Sequence, residues 1–502
     1  MKRIILLLLS VMLIAGCFAG CEEKEPTPPA LTPQPEISDS GETVTYKVSG
    51  ALSSNMVLQQ NQYIHIWGTS PDTGAYLYGE FMGETRYAQV DDQGKWELMF
   101  SAHAYTTEAQ TMKIYPKNGQ VTEFTDILIG DVWVVSGQSN AELHMDVTLS
   151  YNPEFAEEIS EKDNIRIYYQ GLEDVYANMD KCAVPQEDVL NEDYCWEKAS
   201  YDVVMKTSAI GYYFAKEVSK HTDIPLGIVM MAAGGYPLKQ FMPAELIAQV
   251  GLPYGSDIYN AMMHPFAKMP IRGMLFYQGE NDNWEPEGYA DYLAAFVKYM
   301  RQLYGYDFPF YNVQLSSHAG SIVNDWPGLY TIRCEQERAA SLIDNSYLAA
   351  SYDVGVLSDS EPEMAHPYNK KPVGDRLAYL ALSEIYAKGS YDIDDWACPV
   401  PDEVKWSDDK AVITFKYVGK GLQIKNGREL LGFSLLDEDN EIICSVRAEI
   451  TDDDEVTVTI PEKRAGKFAA IGYACEAVAA PLTNNLANSN DLPAVAFKVD
   501  KE

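Results

Sequence analysis

The spacing of hydrophobic and polar residues divides the chain into three successive stretches. Residues 45–126 contain short segments of alternating apolar and polar residues with turn signals between them, such as "NQYIHIWGTS" and "GAYLYGEFMG", which predicts an all-β module. Residues 127–396 instead alternate strongly apolar runs with helical patterns. Residues 397–502 return to short strands with Asp and Gly turns, and so predict a second β module.

The middle stretch carries five apolar runs, "ILIGDVWVVSG", "IPLGIVMMAAGG", "IRGMLFYQGE", "FPFYNVQLSS" and "SYLAASYDVG". Helical patterns such as "YADYLAAFVKYMRQLYG" alternate with them. Near-continuously hydrophobic strands that alternate with helices are typical of a parallel sheet covered on both faces. We therefore expect an α/β fold, with a five-stranded parallel sheet sandwiched by helices and flanked by N- and C-terminal β-sandwich-like modules.

The N-terminus has the features of an export signal. Lys2 and Arg3 precede an apolar run over residues 4–14, which is too short for a comfortable membrane span but suits a signal peptide. The sequence "IAGC", which ends at Cys17, resembles the lipobox of bacterial lipoproteins, in which the cysteine is lipidated and becomes the mature N-terminus. The alternatives are a plain secretory signal cut near residue 19 or 20 and an uncleaved anchor.

The lipobox predicts where the protein resides. Residues 1–17 are expected to be a lipoprotein signal peptide, and the Pro-rich, acidic residues 18–44 a tether for the globular body. The protein would then be exported and held at a bacterial cell surface or membrane, with the lipid on Cys17 as its only membrane contact.

Charge and cysteine content narrow the range of ligands. The net charge of −36 argues against nucleic acid as a partner, because phosphate binding needs clustered Lys and Arg. None of the eight cysteines shows CxxC or Cys/His metal spacing, and we expect neither a metal nor a cofactor. Export permits disulfides, and Cys182 and Cys195 lie close enough in sequence that they could pair.

Polar clusters follow the predicted strands at their C-terminal ends. The first strand ends at Ser139, the second at Gly234 and Gly235, and the third runs into "YQGEN" at 277–281. The fifth is followed by "SDSEPEMAHP" at 358–367. Open α/β sheets bind ligands at this edge, and a serine there needs a base, an acid and oxyanion donors to act as a nucleophile.

The candidate base is one of seven histidines. His366 follows the fifth strand, with Asp359, Glu361 and Glu363 just upstream, while His318 follows the fourth strand and is a rival at the same edge of the sheet. The others lie in the first β module, in helices or in connections between elements: His65, His103, His144, His221 and His264.

These motifs together resemble the sialate O-acetylesterase branch of the SGNH hydrolases. The resemblance rests on "GQSN", the Gly-Gly after the second strand, "YQGE" and the "HP" before the last helix, in that order. Flanking segments such as "SSNMVLQQNQYIHIWGTS" and "GKGLQIKNGRELLGF" are similar to the β modules of that family. The resemblance extends from about residue 52 to the C-terminus and implies a flavodoxin-like SGNH catalytic domain.

The resemblance also implies roles for the residues at the strand ends. Ser139 would be the nucleophile and His366 the base. The oxyanion donors would be the Ser139 N–H, the N–H of Gly235 (or Gly234) and the Gln278 side chain, with Asn140 and Glu280 as supports.

The chain departs from the family at two places. SGNH enzymes commonly carry Asp three residues before the histidine, whereas this chain has Glu363 there, so Asp359 and Glu361 stay open as alternatives for the acid. Gly235 is followed by Tyr236 and then by Lys239 and Phe241, where the family often has Thr, Glu and Trp. We expect these three side chains to form the substrate-binding rim.

The expected activity is hydrolysis of O-acetyl esters of carbohydrates by a serine esterase, through an acyl-enzyme that releases acetate. The partner would be an acetylated carbohydrate. The alternatives are an acetyl xylan or mannan esterase acting on plant glycans, and a non-catalytic surface lipoprotein that binds glycans.

Overall fold

The structure is a computed structural model, and it describes residues 43–159, 162–317, 328–354, 366–475 and 483–501. Residues 43–501 fall within one compact unit. The predicted signal peptide with Cys17, and the predicted tether up to residue 42, lie outside the described residues. In the described part of the chain, no helix is both long and apolar enough to cross a membrane.

The N-terminal module consists of seven strands. Strands β1, β3 and β6 form one antiparallel sheet, while β4, β5 and β7 form an antiparallel ribbon that continues into the next strand of the chain. The bounds are β1 Lys47–Val48, β2 Val57–Gln59, β3 Ile64–Thr69, β4 Tyr76–Phe81, β5 Glu84–Gln89, β6 Lys95–Phe100 and β7 Thr106–Pro116.

Strand β8 (Thr122–Gly137) belongs to both the N-terminal module and the central sheet. Its first half pairs with β7 and β2, and its second half lies in the middle of the central sheet. Up to Asp126 its residues alternate in burial, and from Ile127 onward every residue is buried. The predicted boundary between residues 126 and 127 therefore falls inside one continuous strand, at the point where its environment changes.

The central sheet has the strand order β10-β9-β11-β8-β12-β13-β14, and all of these strands except β10 run parallel. The bounds are β9 Lys162–Tyr168, β10 Trp196–Ala199, β11 Leu226–Ala232, β12 Gly273–Tyr277, β13 Phe310–Val313 and β14 Ser346–Ala349. All five predicted strands are present.

The prediction of a five-stranded sheet is nevertheless incomplete, because β9 adds a sixth parallel strand and β10 an antiparallel edge. Buried Arg166, which is paired with Asp126 at 3.0 Å, interrupts the apolar pattern by which β9 would have been recognised.

Helices cover both faces of this sheet. Trp133 and Val135 on one face contact Phe214 and Gly211 of α5, whereas Phe276 on the other face packs against α7. The bounds are α1 Ser139–Glu142, α2 Met145–Tyr151, α3 Leu172–Ala177, α4 Tyr201–Met205, α5 Ala209–Val218, α6 Ala244–Val250, α7 Tyr289–Tyr304, α8 Leu329–Leu342, α9 Lys371–Ala381 and α10 Ile393–Trp396.

The C-terminal module contains three further sheets, with the orders β15-β16-β21-β20, β17-β23 and β19-β18-β22-β24. The side chain of Gln314, just after β13, accepts from the Ala496 N–H at 2.7 Å and donates to the Ala496 carbonyl at 2.8 Å, which joins this module to the sheet. The bounds are β15 Val400–Trp406, β16 Lys410–Lys416, β17 Leu422–Ile424, β18 Phe433–Leu436, β19 Ile442–Ser445, β20 Ala448–Asp452, β21 Glu455–Thr459, β22 Ala470–Tyr473, β23 Leu486–Asn488 and β24 Phe497–Asp500.

The suggested pairing of Cys182 with Cys195 is wrong. Both are free thiols. The Cys182 thiol is buried and lies 3.3 Å from the carbonyl oxygen of Asn178, whereas Cys195 is exposed.

Candidate active site

A sharp turn at the end of β8 presents Ser139 at the carboxyl edge of the sheet. Gly137 has a φ of +123°, and a Cβ added to it would lie 2.1 Å from the carbonyl oxygen of Tyr277 on β12. Only glycine fits this conformation and this close approach of two backbones. The chain then enters α1 at Ser139, which is partly accessible to solvent.

His366 lies against this serine. Its Nε2 atom is 2.7 Å from the Oγ atom of Ser139, which is hydrogen-bond distance for proton transfer from a hydroxyl to a neutral imidazole. The two residues are far apart in the chain and meet because the loop before α9 returns to the end of β8. The structure therefore brings together the two residues predicted as nucleophile and base.

The two glycines after β11 differ in what their N–H groups do. The Gly234 N–H donates to the Glu142 carboxylate at 2.7 Å. Gly235 has a φ of +78°, and its carbonyl accepts from the Asn281 side chain at 2.8 Å. Its N–H has no hydrogen-bond partner among the described residues. Of the two glycines, Gly235 is thus the one with a donor left for an oxyanion beside Ser139.

Gln278 is fully buried, and its amide group already has partners. Its Nε2 atom donates to Asp282 at 2.5 Å and lies 3.2 Å from the side-chain oxygen of Gln138 and 3.3 Å from the carbonyl of Tyr236. Its side-chain oxygen accepts from Tyr289 at 2.8 Å. In this arrangement Gln278 fixes the strand end to the Gly235 loop, and its role as a direct oxyanion donor stays a prediction.

A buried polar cluster supports the residue that follows Ser139. Asn140 donates to Glu280 at 2.5 Å and accepts from the ammonium group of Lys370, which also lies 5.3 Å from the centre of the Tyr277 ring. Burial raises the pKa of Glu280 to about 7 and lowers the pKa of Lys370 to about 7. Asn140 and Glu280 were expected as supports, and Lys370 completes the cluster.

Several predicted residues lie outside the described residues. They are the rival base His318 and the three candidate acids Asp359, Glu361 and Glu363. The carboxylate that orients His366 therefore stays a prediction. Within the described ranges, no group of three or more His, Cys, Asp or Glu side chains could hold a metal ion.

Comparison with known proteins identifies the family of the region that holds this site. Residues 129–377 match the family model described as "Carbohydrate esterase, sialic acid-specific acetylesterase". This region belongs to that family. It contains Ser139, both glycines of the loop, Gln278 and His366.

Similar proteins extend the match beyond the family region. Sialate O-acetylesterase from Pongo abelii is 23% identical over 415 residues, which cover 75% of this chain and 77% of that protein. The human sialate O-acetylesterase is 25% identical over 325 residues, covering 58% of this chain and 60% of that protein. The crystal structure of a carbohydrate acetylesterase from Xanthomonas citri has a TM-score of 0.76 and 26% identity, and it covers 91% of this chain and 100% of its own.

The predicted substrate rim is only partly at the surface of this esterase domain. Tyr236 stacks on Tyr176, with ring centres 6.3 Å apart, and the Lys239 ammonium lies 4.1 Å above the ring of Tyr254. The placement of Phe241 at the rim is wrong. Its side chain is fully buried and contacts Phe276 of the central sheet, because the single turn over Leu238–Phe241 directs it inward.

Besides Lys370, three polar residues of the esterase site were missed in the sequence. Gln138, inside the "GQSN" motif, accepts from the backbone N–H groups of Gly279 and Asn281. Asp282, just after "QGEN", accepts from Gln278 and from the Leu238 N–H, and burial raises its pKa to about 6. The Glu142 carboxylate accepts from the Gly234 N–H and so fixes the loop that carries Gly234 and Gly235. The first two adjoin recognised motifs and could have been found there, while Glu142 has no such signal.

Proposed function

We propose that the protein is a serine esterase that hydrolyses O-acetyl esters of carbohydrates. The single observation that carries this proposal is the 2.7 Å contact between His366 Nε2 and Ser139 Oγ. It lies at the carboxyl edge of the sheet, within a region that belongs to a carbohydrate esterase family.

The reaction proceeds in two halves through an acyl-enzyme. His366 accepts the Ser139 proton as Oγ attacks the acetyl carbonyl carbon, and the N–H groups of Ser139 and Gly235 donate to the developing oxyanion. The C–O bond to the sugar then breaks, and the imidazolium returns the proton to the departing sugar hydroxyl. Water, deprotonated by His366, attacks the acetyl-serine and releases acetate with Ser139 regenerated.

A glycan-binding protein without catalysis is the alternative of a different class. Such a protein has no need to hold a serine hydroxyl against an imidazole at the end of a sheet. The available N–H of Gly235, in the loop that packs against that serine through Gly234, adds a second feature that binding alone does not require. Both features favour the esterase.

Labelling with a fluorophosphonate probe tests the proposal, because these reagents modify serines that are activated by a neighbouring base. We expect one adduct on the peptide that contains Ser139, no adduct in Ser139→Ala, and much slower labelling of His366→Ala. Unaltered labelling of another serine in Ser139→Ala would contradict the assignment of the nucleophile.

The location of the protein is a separate proposal that rests on the "IAGC" sequence before Cys17. A lipid on Cys17 would hold the esterase at a bacterial membrane surface. Cys17→Ser should move the protein from the membrane fraction to the soluble fraction, while the acetylesterase activity per molecule is retained. A wild-type protein that is wholly soluble, with its N-terminus after residue 17, would contradict the anchor.

A further inference from the structure

A cleft opens beside the proposed oxyanion loop. It begins at Gly235 and Tyr236 and extends to Tyr254 and Trp284, with a volume of about 480 Å³. This is within the size range of small-molecule sites, roughly 300–1,000 Å³. Gly235 follows the glycine that packs against Ser139, so the cleft begins in the loop next to the proposed nucleophile, although Ser139 is not among the lining residues.

Two large aromatic side chains of the cleft are exposed to solvent. Trp284 is 61% exposed and Tyr254 is 65% exposed. Trp284 makes no ring contact with another aromatic side chain of the described residues, and most of its surface is open to solvent. Exposed aromatic surface within a cleft is a feature of ligand sites, since covering it with a C–H-rich face of a pyranose ring removes apolar area from water.

The charges of the cleft disfavour an acidic sugar. Among the described residues that line it, Lys239 is the one cation, and its ammonium lies over the Tyr254 ring. Three carboxyl groups line the same cleft, those of Asp282, Glu285 and Glu287. The whole chain adds to this effect with a net charge of −36. A substrate carboxylate would therefore enter a negative field in which Lys239, the cation of the described lining, already lies over an aromatic ring.

We propose that this cleft binds a neutral sugar residue of the acetylated substrate, with the pyranose ring stacked on Trp284 or Tyr254. The proposal rests on the esterase function above and specifies the class of substrate within it. An uncharged glycan offers hydroxyl groups that can donate to Glu285 and Glu287, so that these carboxylates become binding groups rather than a source of repulsion.

Binding to an inactive enzyme tests the subsite without turnover. In Ser139→Ala, we would measure the Kd of acetylated xylotetraose, acetylated mannotetraose and O-acetylated N-acetylneuraminic acid by calorimetry. We expect a neutral oligosaccharide to bind at least roughly 10-fold more tightly than the acidic sugar. Adding Trp284→Ala or Tyr254→Ala should raise its Kd by roughly 10-fold, as for loss of an aromatic anchor. Adding Tyr201→Ala, an exposed tyrosine outside this cleft, should not change the Kd.

The outcomes separate the subsite from the esterase function. Tighter binding of the acidic sugar, binding of none of the three, or Kd values that neither cleft substitution changes would each overturn the subsite. The wild-type enzyme is assayed in parallel on p-nitrophenyl acetate, which has no sugar. Loss of the subsite with hydrolysis retained leaves the esterase intact, whereas no hydrolysis by the wild type contradicts the esterase itself.

Discussion

The ammonium group of Lys370 lies buried against the side-chain oxygen of Asn140, the residue that follows the proposed nucleophile Ser139. Lys370 is the residue before α9, four positions after His366, so one short segment carries both the proposed base and this support. Through Asn140, Lys370 also balances the charge of Glu280. The position of Ser139 thus depends on the buried hydrogen-bonded chain Lys370–Asn140–Glu280 as well as on backbone geometry.

Replacing Lys370 should lower both the stability and the activity of the protein, and the loss of stability should be larger at high pH. Lys370→Met removes the buried donor to the Asn140 side-chain oxygen and leaves Glu280 without a nearby cation, so we expect a loss of about 1–3 kcal/mol in the free energy of unfolding and a fall in kcat. The pKa of Glu280, already about 7 against an ordinary 4.5, should rise further. A carboxyl group whose pKa is raised in the folded state stabilises the protein at low pH, and this contribution is lost as the pH rises through the folded-state pKa. The difference in free energy of unfolding between the wild type and Lys370→Met should therefore grow from about pH 6 to pH 9.

The neighbouring lysine provides a matched control. Lys371 pairs with Asp375 at 2.6 Å one turn along α9, and it is partly exposed. Lys371→Met should lower the free energy of unfolding by about 1 kcal/mol or less. The free energy of unfolding of both lysine variants is measured by chemical denaturation. Equal losses in the two variants, or a loss in Lys370→Met that does not depend on pH, would contradict the role given to Lys370.

Gly137→Ala should prevent the turn that presents Ser139. The added Cβ would lie 2.1 Å from the Tyr277 carbonyl oxygen, so β8 and β12 would have to separate. We therefore expect a loss of about 3 kcal/mol or more in the free energy of unfolding. Gly235→Ala is the comparison, since no atom lies within 4 Å of its added Cβ and only the positive φ of +78° is strained. The free energy of unfolding of Gly235→Ala should fall by about 1–2 kcal/mol. Similar melting temperatures for the two variants would count against this account of the turn.

His366→Ala should reduce kcat on p-nitrophenyl acetate by about 10⁴-fold or more, because the serine loses its base. The matched control is His144, five residues after Ser139. It packs edge-on against Tyr169 and makes no hydrogen bond to the serine, and burial lowers its pKa. His144→Ala should therefore change stability more than kcat. A larger loss of kcat in the His144 variant would reverse the assignment of the base.

Glu97 should contribute to stability above pH 4.5 and lose that contribution in acid. His65 and Lys268 donate to its carboxylate and lower its pKa to about 2 from 4.5. For a lowered carboxyl pKa, stability is present above the unfolded-state value and is lost as the pH falls through the folded-state value. The melting temperature of Glu97→Gln should therefore lie furthest below that of the wild type above pH 4.5, and the difference should be smaller near pH 3. A deficit that does not change with pH would argue against this ionic contribution.

The sequence predicts the central sheet well where burial leaves a direct pattern. The change from alternating to continuous burial along β8 is visible in its residues, and it separates the N-terminal strands from the catalytic sheet. Strand β9 could not be recognised in the same way, since Arg166 is buried there by pairing with Asp126 on a neighbouring segment. Such a pair is invisible until both partners are placed in space.

The candidate site shows the same limit. Ser139 and His366 could be predicted because the motifs around them mark strand ends. Lys370 could not, because a lysine before a helix reads as a solvated side chain until Asn140 and Glu280 are seen to surround it. Phe241 was misplaced for the opposite reason, since a short turn directs a loop residue into the core.

The central claim is that Ser139 performs the chemistry, and acetate release by Ser139→Ala measures this most directly. The assay uses purified wild type and variant on p-nitrophenyl acetate and on an acetylated oligosaccharide, with circular dichroism to confirm equal folding. We predict a loss of about 10⁴- to 10⁶-fold in kcat on both substrates, with the double variant Ser139→Ala/His366→Ala little worse than either single variant. Acetate release by a folded Ser139→Ala protein at a rate near that of the wild type would contradict the account.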